Sequence, residues 1–361
     1  MTTSRDAQWM DRALALAERG RGRTSPNPLV GAVVVSPAGV VVGQGAHLEA
    51  GGPHAEVHAL DMAGARARGA TLYCTLEPCT HTGRTGPCVE RIVAAGIRRV
   101  VVATTDPNPR VNGAGLAYLR ARGVEVHEGP GSGQARRQNA PFFTWITRHR
   151  PFVILKMAVS GDGFVGRAES RERLTGAAAD RHFHRQRAEV DAIAVGSGTV
   201  LVDDPLLTPR GVHRPRPLVR VVADWSGRVL PSARVFSTLD VGPVIMVISH
   251  AAAAREAAAV RELESRGVTI MRVADRSVPD LLRRLADREV VSLLVEGGPR
   301  LHEAFHAAGA VDRLQWIVSP RMLGHGVPLG PLAARRFEED RRHGTPLGDD
   351  VLVECDVHGT D

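Results

Sequence analysis

Three residues well separated along the chain constrain it most: His54, Cys79 and Cys88. An imidazole and two thiols form a zinc donor set, because zinc takes nitrogen and thiolate ligands. If they share one metal, the segments that carry them must all end at one place. Glu56 stands two residues after His54, in the first turn of a helix expected over 54–66 behind the breaker Gly51-Gly52-Pro53. From there it reaches a water on the metal without ligating the metal. Three protein ligands leave a fourth position open, which suits a catalytic zinc and not a structural one. Glu56 is then the group that takes a proton from water and hands it to a leaving group. Cys79 and Cys88 are both expected at helix starts, where the helix dipole favours thiolate.

The order His-x-Glu, Pro-Cys, Cys is the pattern of zinc-dependent deaminases, whose second pair is usually Cys-x-x-Cys. Here residues 80–87 separate Cys79 from Cys88. That insert must loop out and return, which stands it beside the metal. The bland alternative, helix residues and core thiols, needs four residue types to fall in the right order by accident. Cys74, in a strand, and Cys355, in a terminal apolar stretch, are expected as buried small hydrophobes.

The chain has 361 residues, which favours two domains. Hydrophobic residues at 43% and charged residues at 24% give enough apolar material for two cores. No run of eighteen apolar residues suggests a membrane span, and residues 1–12 lack a signal-peptide core, so a cytoplasmic protein without membrane partners is expected. The formal charge of +7 comes almost wholly from arginine and suits anionic ligands. No basic tail is present and aromatic residues are only 4%, which argues against a nucleic-acid partner bound by stacking.

The first half alternates strand and helix signals: a hairpin from 29–35 and 40–45, strands at 71–76, 98–104 and 124–127, and helices at 54–66, 88–95 and 116–122. Gly129-Pro130-Gly131-Ser132-Gly133 is the clearest break, and a linker is expected over about 129–150. The second half reads as strands at 152–159, 191–195, 218–223, 244–248, 268–273, 290–295 and 313–318, with helices at 177–189, 251–266 and 279–288. The stretch 335–348 and the C-terminal end read as loop. Both halves are α/β.

In the second half, Gly196-Ser197-Gly198-Thr199 follows a strand but lacks the third glycine of a dinucleotide fingerprint. Val295-Glu296-Gly297-Gly298-Pro299 is the better anion site: an apolar strand, glycines that admit close approach, and a proline at a first helical position. Lys156 is the sole lysine in an arginine-rich chain. It reads as a compact ammonium kept for catalysis, against the alternative of a strand-end lysine snorkelling to water.

Residues 75–88, Thr-Leu-Glu-Pro-Cys-Thr-His-Thr-Gly-Arg-Thr-Gly-Pro-Cys, closely resemble the deaminase motif of bifunctional riboflavin-biosynthesis deaminase/reductases. So do Asn27-Pro28-Leu29-Val30-Gly31-Ala32 and Thr105-Asp106-Pro107-Asn108-Pro109. Residues 156–163, 195–210 and 296–298 are similar to the reductase half of that family. The resemblance implies a cytidine-deaminase-like three-layer domain over 1–145 and a dihydrofolate-reductase-like domain over 151–361. It implies Zn2+ and NADPH as cofactors, a small phosphorylated pyrimidine as substrate, and a homo-oligomer.

By matching position, Asn27, His47, Asp106 and Asn108 hold the base and sugar, and Arg84 faces the phosphate. Arg187, Leu207, Arg210 and Glu296 face the substrate of the second reaction, with Lys156 at the reacting sugar. Val159, Thr199, Asp203, Gly297, Gly298, Pro299, Arg300, Leu301 and His302 line the cofactor. Two departures keep a second reading open, a deaminase whose rear domain is inactive or altered. The family's Ser-x-Trp-Ile-Thr stretch is here Arg171-Glu172-Arg173-Leu174-Thr175, so Arg173 replaces the aromatic residue, and Gly161 replaces the common Leu before Asp162. A nucleic-acid-editing deaminase would carry Cys-x-x-Cys, and a zinc-stabilised interaction module would supply a fourth ligand.

Overall fold

A computed structural model describes residues 4–80, 86–167, 173–330 and 344–357. They form two compact units that divide between His149 and Arg150.

The first unit runs α1 (Ser4–Ala17), β1 (Gly31–Val35), β2 (Val41–Ala46), α2 (Ala55–Ala63), β3 (Thr71–Cys74), α3 (Cys88–Ala94), β4 (Arg99–Val102), α4 (Ala114–Ala121), β5 (Glu125–Glu128), α5 (Ser132–Gln138) and α6 (Ala140–Arg148). Its five strands lie in the order β2-β1-β3-β4-β5. β1 is antiparallel to β2 and β3, while β3, β4 and β5 are parallel. The strands read as continuous apolar runs because both faces are covered. Ala32, Val34, Leu72, Val100 and Val102 face α2, α3 and α4, while Val33, Val35, Tyr73 and Val101 face α1 and Ala135 of α5. Helix, sheet and helix thus make the three layers expected.

Helix α2 lies directly on the backbone of β2. A side chain at Gly43 would meet the Ala59 carbonyl at 2.0 Å, and one at Gly45 the Ala55 carbonyl at 2.5 Å. These two glycines let the start of α2, with His54 and Glu56, approach the sheet.

The stretch 129–150, expected as a linker, is built into the first unit. Helices α5 and α6 occupy most of it, with Ala135 and Phe142 buried. Between them Asn139, 2% exposed, donates to the Leu29 carbonyl at 2.9 Å and accepts from the Leu29 N–H at 2.7 Å. The glycines around Gly131 turn the chain without freeing it. Helix α1, not anticipated from the polar N-terminal sequence, buries Met10, Ala13, Leu14 and Ala17.

The second unit runs β6 (Phe152–Val159), β7 (Phe164–Gly166), α7 (Ala177–Glu189), β8 (Ala192–Gly196), α8 (Ser197–Asp203), β9 (Val219–Ala223), β10 (Val244–Ser249), α9 (His250–Arg255), α10 (Ala257–Ser265), β11 (Thr269–Val273), α11 (Val278–Ala286), β12 (Ser292–Val295), α12 (Pro299–Ala307), β13 (Arg313–Val318), β14 (Val327–Pro328), β15 (Gly344–Leu347) and β16 (Asp350–Asp356). Nine of these strands form one sheet in the order β11-β10-β9-β8-β12-β6-β13-β16-β15. It is parallel from β11 to β13, and β16 and β15 close it antiparallel. Expected loop at 344–348 is therefore strand β15 and its turn. The alternating end of the chain is β16, where Cys355 is half-buried against the core. Asp312, 5% exposed, accepts both guanidinium nitrogens of Arg150 and the Val153 N–H, which fixes where the second unit starts.

Asn139→Ala leaves the buried N–H and carbonyl of Leu29 without partners. It should cost the first unit about 2–4 kcal/mol, seen by calorimetry as a lowered transition for that unit with the second unit's transition unmoved.

Candidate active sites

In the first unit the parallel ends of β3 and β4 are joined at one edge by the start of β1 and the end of β2. The pairing puts Ala32 opposite Cys74 and Gly31 opposite Ala46. Asn27 precedes β1, His47 follows β2, Cys79 follows β3 and Asp106 follows β4, so the topology alone gathers them. His54 is the N-cap residue of α2, and Cys88 is the first residue of α3. Cys79, expected at a helix start, lies instead in the irregular segment after β3. Its sulfur accepts from the Cys88 N–H at 3.5 Å.

The three candidate ligand atoms lie within 4.8 Å of one another. His54 Nδ1 is 3.2 Å from Cys88 Sγ and 3.5 Å from Cys79 Sγ. Ligands at ordinary zinc distances in a tetrahedron stand roughly 3.5 Å apart, so the spacing fits that ion. The hydrogen bond from Cys88 and the neighbouring His54 hold the Cys79 thiol below its usual value, with burial opposing. Glu56 is 3% exposed, and its Oε2 has no protein partner. Burial pushes its carboxyl above the usual carboxylate range. An unpartnered buried carboxylate oxygen beside a tetrahedral donor set is the arrangement that a proton-shuttling group needs.

His47 is 2% exposed. Its Nδ1 lies 3.1 Å from the Pro53 carbonyl, and its Nε2 lies 3.2 Å from Asn27 Nδ2. A carbonyl only accepts, so Nδ1 carries the proton and Nε2 accepts from the amide. Both ring nitrogens are thereby engaged by the protein, and the residue orients Asn27. Asp106 is buried, and its Oδ1 accepts from the Asn108 N–H at 2.8 Å. Arg84 lies outside the described residues.

In the second unit β12 lies between β8 and β6, and the register puts Val295 beside Leu155. The next residues, Glu296 and Lys156, are therefore neighbours across the ladder, with Nζ to Oε2 at 3.7 Å. Arg187 of α7 grips the same carboxylate at 2.6 and 2.7 Å. Burial opposes the charge on Glu296, yet Arg187 and Lys156 outweigh it and hold the carboxyl at about 2. Burial lowers Lys156 from its usual value. Its ammonium also sits 4.6 Å over the Phe183 ring, a contact sequence reading did not find.

These groups open onto a cleft of about 1450 Å³. Its lining brings together Lys156, Arg187, Thr199, Asp203, Leu207, Arg210, Glu296 and the segment Gly297 to His302. Gly297 and Gly298 have φ of 137° and 82°, which only glycine adopts easily, and they lead into α12. His302 is buried and held near a pKa of about 4 by burial. Its Nε2 lies 3.2 Å from the Gly297 N and 3.3 Å from the Val295 carbonyl, which ties the ring to the turn.

Val159, expected at the cofactor, is fully buried in the core beneath the sheet. Side chains alternate along β6, so Lys156 and Ala158 are partly exposed at the cleft while Leu155 and Val159 face inward. The two departures each have a local account. Arg173 lines the cleft and pairs with Asp180 at 2.6 Å. A side chain at Gly161 would meet Met322 Sδ at 2.9 Å, so Met322 takes that space.

Residues 3–104 match the cytidine and deoxycytidylate deaminase zinc-binding region, and residues 151–341 match the RibD C-terminal domain. The riboflavin biosynthesis protein RibD of Aquifex aeolicus is 40% identical over 96% of this chain and 97% of its own length. That of Escherichia coli is 38% identical over 88% and 89%. Among solved structures, Acinetobacter baumannii RibD superposes with a TM-score of 0.84 at 33% identity, covering 97% of this chain and 98% of that one. A deaminase/reductase from Thermotoga maritima gives 0.82 at 33%, with the same coverage.

Glu296→Gln would leave two half-buried cations facing a neutral amide. The loss should be about 3–5 kcal/mol, read from urea unfolding of the second unit. Because the folded carboxyl is depressed, its stabilising share is present above the unfolded value and is lost as pH falls from about 4 toward 2. The wild type should lose stability across that window more steeply than the variant.

Proposed function

The chain belongs to the RibD family of riboflavin-biosynthesis proteins, and on that premise we propose how its own residues divide a deamination and a reduction between the two units. It is a bifunctional enzyme of riboflavin biosynthesis that uses zinc and NADPH. The substrate in this reading is 2,5-diamino-6-(5-phosphoribosylamino)pyrimidin-4-one. Water replaces its 2-amino group, ammonia leaves, and the ribosyl group of the product is then reduced to ribityl. On family grounds alone the reading also takes a homo-oligomer working in the cytoplasm.

His54 Nδ1, Cys79 and Cys88 would hold the zinc, which when bound would supply the Lewis acidity that makes water a competent nucleophile near neutral pH. Glu56 accepts the proton that water gives up and delivers it to the departing amine. One N–H of the Asn27 amide is committed to His47, which leaves its carbonyl oxygen and its second N–H for the base edge. Asp106 and Asn108 hold the substrate from the β4 side.

NADPH supplies the hydride for the second reaction. The backbone N–H groups of Gly298 and Arg300 would hold its phosphates, with Thr199 and Asp203 beside them. Arg187, Arg210 and Leu207 seat the substrate. Lys156 would hold a proton for the ring oxygen, which takes it as the bond from C1′ to that oxygen breaks and C1′ receives the hydride. Glu296 keeps the ammonium charged, while burial weakens its hold on the proton.

The observation that carries this reading is the meeting of three zinc donors beside the unpartnered Oε2 of Glu56. Glu56→Gln should retain zinc and lose ammonia release by a factor of roughly 10²–10⁴, while NADPH oxidation with supplied deaminated intermediate continues. Lys156→Met should do the reverse. Normal ammonia release from zinc-loaded Glu56→Gln would refute the assignment.

A further inference from the structure

Glu77 lies between β3 and the zinc ligand Cys79, and it is 4% exposed. Its carboxylate is spent on backbone. Oε2 accepts from Asp106 N–H at 3.2 Å and Gly113 N–H at 2.9 Å, and Oε1 from Gly115 N–H at 2.8 Å and Leu116 N–H at 3.4 Å. The last three donors open α4, whose N-cap is Gly113 and has no side chain to offer. A helix start normally takes its cap from the adjacent residue. Here the cap is imported from a segment far back in the chain, the one that carries a zinc ligand.

The contact is also close at the backbone. A side chain at Gly115 would meet the Pro78 carbonyl at 2.2 Å and Glu77 Oε1 at 3.0 Å. The segment 77–79 and the loop 106–116 are therefore clamped together. From the clamped Asp106 the order passes on: Asp106 Oδ1 accepts from Asn108 N–H at 2.8 Å, and Asn108 Oδ1 accepts from Arg110 N–H at 3.1 Å.

We propose that Glu77 is a positioning residue of the deaminase, setting the separation between the metal ligand Cys79 and the substrate-holding loop of Asp106 and Asn108. It touches neither metal nor substrate. It acts by fixing the two loops that do, so that the pyrimidine's amino-bearing carbon comes to rest beside Glu56. This inference rests on the reading that Asp106 and Asn108 bind substrate. Small displacements at such a junction are costly, because the substrate meets Asp106 and Asn108 in register with the metal site only while the two loops keep their spacing.

The full chain supplies its own control, since the reductase unit does not contain the clamp. Glu77→Gln turns one oxygen into an amide that faces two N–H donors. Gly115→Ala disturbs the clamp from the other side and leaves the carboxylate intact. In both, KM for the diaminopyrimidine should rise about tenfold or more, while bound zinc stays at the wild-type level and NADPH oxidation with supplied deaminated intermediate is unchanged. Asn108→Ala should raise KM likewise. If Asn108→Ala raises KM but the two clamp variants do not, the proposal fails and the substrate reading stands. An unchanged KM in Asn108→Ala removes the reading beneath it. If zinc is lost with KM intact, or if melting falls alone, Glu77 serves the ligand loop or the fold only, and the proposal is overturned.

Discussion

Neighbouring strands in a parallel ladder end at the same edge of the sheet, so the loops that leave them crowd together. Both units place their chemistry on that edge. In the first, β3 and β4 deliver Cys79 and Asp106, and antiparallel β1 and β2 turn round so that Asn27 and His47 arrive there too. In the second, β8, β12 and β6 deliver Thr199, Glu296 and Lys156. Strand pairing does the coarse gathering, and side-chain hydrogen bonds such as those of His47 and His302 do the fine setting.

The two edges handle charge by opposite means. At the first, a buried carboxylate oxygen is left without a protein partner beside thiols and an imidazole, an arrangement completed by a cation. At the second, the protein supplies both signs itself: Glu296 lies between a guanidinium fork and an ammonium. Hydrolysis asks for a mobile proton, and so for a group whose charge is poorly compensated. Reduction with a bound dinucleotide asks for a fixed field that holds substrate in register, which a fully paired cluster provides.

The strands and most helices were legible because burial on both faces writes long apolar runs, and because His54, Glu56, Cys79 and Cys88 have few other reasons to occur in that order. What escaped notice was polar in sequence and buried by partners far away. Helix α1 looks hydrophilic, yet one face covers β1 and β3. Glu77 reads as one charge in a motif, and only tertiary structure shows four N–H groups converging on it. Strand alternation turns the Val159 side chain inward, so only its backbone is available to a cofactor. Residues 129–133 look like a tether, since glycine marks turns as readily as linkers. Asn139 closes that turn onto Leu29.

Lys156 is the chain's single lysine, and it sits partly covered in the reductase cleft with a depressed affinity for its proton. Amine-directed acylating reagents thus have one side-chain target besides the chain's α-amino group. Covalent tagging of this protein would therefore report directly on whether the cleft is filled, since any ligand seated there shields the only reactive side-chain amine.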